Sequence, residues 1–139
     1  MASLTQELDQ AWAALQLAQD ALATARVAQG KAASAQTATS ESAQRMLTSF
    51  LAEMQAGLEA LTGDTAGGAR ALRRLSADPL TMLTAALLEE KATTERASTA
   101  LALVGQRHTE AGQAAQRVRD VFSSVRVATD EILGPATVR

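Results

Sequence analysis

Cysteine and tyrosine are absent from these 139 residues, and the aromatic complement is one Trp and two Phe. Without a thiol there can be no disulfide framework, cysteine-based zinc site or cysteine nucleophile. Proline occurs twice and glycine eight times, too few turn formers for a sheet protein of many short strands. Long apolar runs are lacking too. The longest strongly apolar stretch, Leu80 to Leu88, is interrupted by Thr81 and Thr84, well short of the roughly 18 residues of a membrane helix. Met1-Ala2-Ser3-Leu4 has neither the basic region nor the apolar stretch of a signal peptide, which predicts a cytoplasmic protein and leaves a signal-peptide-independent export route open. A net charge of −2 implies no basic face of the size that nucleic-acid binding uses.

What is present is alanine, 32 residues of it, followed by 18 Leu. With Gln, Glu and Arg, these are strong helix formers. The charge is uneven: residues 1–69 carry three basic and seven acidic side chains, and residues 70–139 carry ten and eight. The halves are therefore −4 and +2, a weak attraction consistent with side-by-side packing.

Three helical segments follow from the apolar spacing. The first spans about 3–61. Ser3 and Gln6 read as a capping box, and Leu4, Leu8, Ala11, Leu15, Ala18, Leu22, Ala25 and Ala32 recur at heptad spacing. The stripe resumes as Met46 or Leu47, Phe50 or Leu51, Met54, Leu58 and Leu61, shifted by about one residue as a stutter would produce. Between them, Ala33, Ala35, Ala38 and Ala43 favour continuous helix. Gly30 and the Ser/Thr cluster at 37–42 favour a bend or break near 30–42. Thr62 to Ala69 then reads as a loop, with Gly63 as a left-handed cap, inside a bend over 62–78 that holds a short helix at 69–75.

The last helix is predicted over 79–133, with Asp78 as N-cap before Pro79. One heptad series runs Leu80, Leu87, Thr94, Leu101, His108, Ala115, Phe122, Thr129. The other runs Leu83, Glu90, Ala97, Val104, Ala111, Val118, Val125, Ile132. Gly134-Pro135 stops it. A repeat this regular reads as coiled coil, about 80 Å long at roughly 1.5 Å per residue. The predicted fold class is therefore all-α: one domain over 1–139, a long antiparallel helical hairpin with a short helix near the bend. Its weakest interior layers are expected around Ala32, Thr39, Thr94 and Ala97. Leu17, Leu47, Leu51, Leu72, Leu75, Leu88 and Leu103 lie off the most regular seams. They predict a face wider than one helical contact covers, which a homodimer would complete as a four-helix bundle, or which another helical protein would cover.

Chemistry-bearing groups are sparse. His108 is the sole histidine and reads as a core or boundary residue hydrogen-bonded to a neighbour. Glu89, Glu90 and Glu95 lack the Glu-x-x-His partners of a di-iron bundle, and Glu90 is expected at a boundary or paired with a base on the facing helix. Gly67-Gly68 has no following Lys-Ser/Thr and no preceding strand, so a phosphate loop is not indicated. No catalytic, cofactor or metal residues are assigned. Four residues are marked as candidate protein contacts. Trp12 is a large aromatic that could serve a partner interface or the core. Arg70, Arg73 and Arg74 lie near one side of the short helix as a docking patch for an acidic partner. Phe50 and Phe122 are expected in the core.

The predicted function is a non-enzymatic helical assembly, scaffold or adaptor protein acting through coiled-coil contacts. The alternative is a secreted or surface-displayed hairpin that binds a host or partner protein. The bend lacks the Trp-x-Gly of small secreted helical hairpins: Trp12 is followed by Ala13-Ala14 and lies near the terminus.

Overall fold

A computed structural model describes residues 2–134. The fold is all-α. The described residues form α1 (Ala2–Gly63), α2 (Thr65–Leu75) and α3 (Asp78–Leu133). The chain divides into two compact units, a first unit of residues 1–29 with 100–139 and a second unit of 30–99. Each unit is built from a part of α1 packed on a part of α3, and the second also holds α2.

Helix α1 runs unbroken through 30–42. A hydroxyl there turns back onto its own helix instead of breaking it: Thr39 Oγ1 lies 3.0 Å from Ala35 O and 3.1 Å from Gln36 O. Ser3 is already helical, so it is not the cap predicted for it.

In the first unit α1 buries Ala11, Leu22 and Ala25, with Leu4, Leu8, Leu15 and Ala18 half-buried between them. In the second unit the same spacing continues through Thr39, Ala43, Met46 and Phe50. The predicted one-residue shift therefore arrives later, at Met54 and Leu61, and Leu51 and Leu58 stay exposed. The cause is α2. Its Leu72 sits on Gly57, so close that a Cβ there would meet the leucine side chain at 2.9 Å. Gly57 thus takes the buried place next to Leu58.

The bend is tighter than the composition suggests. A single residue, Asp64, separates α1 from α2. Its backbone leaves the helical region (φ −135°, ψ 84°), and its carboxylate accepts the Gly67 N–H at 3.0 Å, the bond of a helix N-cap. Helix α2 therefore begins at Thr65 rather than 69. Gly63 does not adopt the predicted left-handed cap; among the described residues only Gly134 has positive φ, at 81°. Glycine at 68 serves close approach: a Cβ would lie 2.7 Å from Leu61 N and 2.9 Å from Gly57 O. The run that reads as a flexible loop is a helix-on-helix contact.

Helix α3 starts at Asp78, one residue ahead of its predicted start, with Thr81 N donating to Ala77 O at 3.2 Å. The end at Leu133 is followed by the left-handed Gly134; Pro135, predicted to reinforce the stop, lies outside the described residues.

The two heptad series of α3 part company. In the second unit Leu83 is buried and Glu90 and Ala97 are half-buried; in the first unit Val104, Ala111, Val118 and Val125 are half-buried. The other series is exposed at Leu80, Leu87, Thr94, Leu101, His108, Ala115 and Phe122. The inward positions that alternate with the first series lie one residue earlier: Ala86 and Thr93, then Ala100, Arg107, Ala114, Val121 and Ala128. Helices close up where the contacting side chains are small, so the alanines turn inward and the leucines are left flanking the contact. Phe122, expected in the core, is 52% exposed for this reason.

The layer predicted to be weakest contains a buried hydrogen bond. Thr93, 3% exposed, bonds its hydroxyl to that of Thr39 across the second unit. Thr93 Oγ1 also reaches its own helix at Glu90 O, 3.0 Å away. Each hydroxyl has both a donor and an acceptor role open to it, so the polar pair is buried without an orphan.

Candidate functional site

The predicted contact residues separate between the units. In the first unit Trp12 is 53% exposed. It immediately follows Ala11, a buried residue of α1, and so flanks the helical contact. Arg26 follows the buried Ala25 in the same way, and its Nη2 lies 2.9 Å from His108 Nε2 on α3. Guanidinium can only donate, so Nε2 accepts and the ring proton sits on Nδ1. His108 is hydrogen-bonded to a neighbour as the sequence implies, but it is exposed and not in the core. Trp12 and Phe122 stand two seven-residue repeats beyond Arg26 and His108, and the repeat puts all four on one face of that unit.

In the second unit Arg70, Arg73 and Arg74 are exposed on the last two turns of α2. Arg70 Nε donates to Ala66 O at 3.2 Å. Arg73 and Arg74 stand at the helix C-terminus, where positive charge is favoured by the backbone dipole. The helix closes through Ser76, whose hydroxyl donates to Arg73 O at 2.7 Å.

Arg74 also lines a concavity that the sequence did not announce. Glu53, Ala56, Gly57, Ala60, Ala71, Leu75 and Pro79 complete it, around a volume of about 410 Å³. A second hollow of about 330 Å³ adjoins it through Glu53 and Pro79, lined further by Arg45, Met46, Ser49, Phe50, Met82 and Leu83. The signal for this groove was the cluster of Ala and Gly at 56–60, too small to fill the angle among three helices. Two guanidiniums and one carboxylate stand on its walls, and none is bonded to another of the described residues.

This groove fixes which side of the second unit is which. Ser49 and Met82 each precede an inward residue, Phe50 and Leu83, and both line the groove. Residues that follow an inward position emerge on the opposite side. These are Leu47 after Met46, Leu51 after Phe50, Thr84 after Leu83 and Leu87 after Ala86. The two sides differ in chemistry. The groove side bears Arg45, Glu89 and Arg96, with Arg96 Nη1 3.6 Å from Glu89 Oε1. The opposite side presents leucine and threonine, with Lys91 at its border.

Among the described residues, no group of three or more His, Asp or Glu side chains could hold a metal ion, and no helix is long and apolar enough to cross a membrane. Glu90 is half-buried and makes no ion pair with the facing helix; the two ion pairs of the described residues are Glu89–Arg96 and Arg107–Glu110. No protein family, curated protein or solved structure matches the chain.

Proposed function

We propose that this protein is a non-enzymatic helical assembly subunit, a scaffold or adaptor that packs against another helical protein in coiled-coil fashion. One observation carries the reading: an apolar line on α3 that the chain itself leaves uncovered. Leu80, Leu87, Leu101 and Phe122 follow a seven-residue spacing, and each is more than two-fifths exposed. Seven-residue spacing is what a partner helix needs in order to meet the pair within one unit, Leu80 and Leu87 in the second or Leu101 and Phe122 in the first. Scattered exposed leucines are ordinary, whereas a line of them marks a contact surface. Among the described residues no large side chain is fully buried, so the interior is thin and further burial would add stability.

The test is the native mass of the tagged full-length chain recovered gently from the cells that make it. The expected result is a complex larger than one chain, which Leu80→Glu combined with Leu101→Glu disrupts. A single-chain mass for the wild type overturns the reading.

A further inference from the structure

We propose that the groove among α1, α2 and α3 seats an amphipathic helix of a partner protein, acidic on the flank that meets α2. This rests on the assembly reading and gives the partner a place to lie apart from the exposed line of α3.

Register is the first argument. On α1 the smaller hollow is bounded by Met46, Ser49, Phe50 and Glu53, and the larger by Glu53, Ala56, Gly57 and Ala60. Each set occupies positions i, i+3, i+4 and i+7 of the helix. Four residues spaced in this way form the hole into which a side chain of a packed helix inserts. The two holes stand one heptad apart, about 10 Å along α1 at roughly 1.5 Å per residue. The opposite wall keeps the same order. Pro79, Met82 and Leu83 of α3 flank the smaller hollow, and Ala71, Arg74 and Leu75 of α2 flank the larger, each set at i, i+3 and i+4. A helix laid along α1 brings side chains seven residues apart over both holes at once. A loop or a small ligand has no such period.

The floor is the second argument. Leu75 and Leu83 are 7% and 6% exposed, so packing within the chain holds the base of both hollows before a partner arrives. Met46, Phe50 and Met82 form an apolar rim around the smaller one, and methionine adapts its shape to what it meets. Large apolar side chains are what these holes take.

Charge supplies the third and gives the partner its sign. Helix α2 carries three arginines and no acidic residue. A helix passing along it meets positive charge alone at Arg74, whose guanidinium is unbonded. Acidic residues on that flank complement it and fix the orientation of docking. Most of the affinity comes from the inserted apolar side chains, since exposed ion pairs contribute little.

The experiment is fluorescence anisotropy of a synthetic peptide titrated with the purified full-length chain. The probe is a three-heptad helix with Leu at the first and fourth places of each heptad and Glu along one flank. It is expected to bind, and a peptide of the same composition in shuffled order is not. Ser49→Phe and Ala56→Phe each plug one hole from an exposed position. Each is expected to weaken binding about tenfold or more, the worth of one buried leucine side chain, with helicity retained by circular dichroism. Thr84→Phe, on the opposite side, should leave binding unchanged. Arg74→Glu should weaken it about two- to fivefold at low salt, and a probe with Lys for Glu should bind more weakly to the wild type. A probe that does not bind, or binds both plugged variants as it binds the wild type, overturns the groove as a helix seat. Equal binding of the shuffled peptide overturns the register, and equal binding of the Lys peptide overturns the acidic flank. A pure chain that dimerises by light scattering, with Ala56→Phe halving its mass, replaces the separate partner by a second copy. The assembly reading is judged apart from these, on the native mass from cells: a larger complex with no probe binding leaves that reading standing and the groove without its role.

Discussion

The two units solve the same packing problem with different means. In the second, three helices converge, and the buried positions include Gly57, Gly68, Leu75 and Leu83 along with Ala43 and Thr93. In the first, only α1 and α3 meet. There α1 buries Ala11, Leu22 and Ala25, but no residue of α3 from 100 to 134 is better than half-buried. A third helix shields a contact from the side, and two helices alone leave both flanks wet. Where α2 joins, Gly57, Gly68 and Leu75 are buried; away from it, as at Ala11, Ala43 and Thr93, burial falls mainly on small side chains. Val104, Val118 and Val125 are as apolar as Leu83 and yet are half-exposed.

The comparison can be broken most severely at its tightest point. Gly68→Val forces two methyl groups into the backbone of α1, and a loss of about 3 kcal/mol or more is expected from chemical denaturation. Next comes the contrast itself. Leu83→Ala is expected to cost about 2–4 kcal/mol, and Val121→Ala in the first unit only about 1 kcal/mol, because its cavity lies open to solvent. Equal losses would show that the units are buried alike. Asp64→Ala removes the carboxylate that accepts the Gly67 N–H and should cost about 1 kcal/mol, while Asp64→Asn should retain most of it. The smallest effect is expected at Arg26→Gln, within about 0.5 kcal/mol, since its bond to His108 is exposed. Hydrogen exchange sharpens the same contrast: amides of α3 from 104 to 128 should exchange ahead of those of α1 from 46 to 60. The reverse order would place the firmer packing in the first unit.

Much of this arrangement was legible in the residues. The seven-residue spacing of Leu8, Leu15 and Leu22, and of Leu83, Val104 and Val125, identified inward positions because helical period and burial share one geometry. The companion line was misread by one residue throughout α3. Leu87 and Ala86 are adjacent, and apolarity favours Leu87, but the close approach of α1 favours the smaller Ala86. The exposure of Trp12 and the three arginines was legible from residue type. The groove beside Arg74 was not, since it exists only where α2 crosses α1.

Local chemistry, then, determined the helices: alanine and leucine propensity, the carboxylate of Asp64, the glycine at 134. Those choices need only neighbours within a few residues. The tertiary structure decided which of two equally apolar lines turns inward, and why Gly57 and Gly68 serve contact instead of flexibility. Both depend on how close a second helix comes, a distance set by the side chains of both helices together and written in neither alone. The 32 alanines are what permit that approach. By yielding much of the interior to small residues, they leave many of the leucines outside.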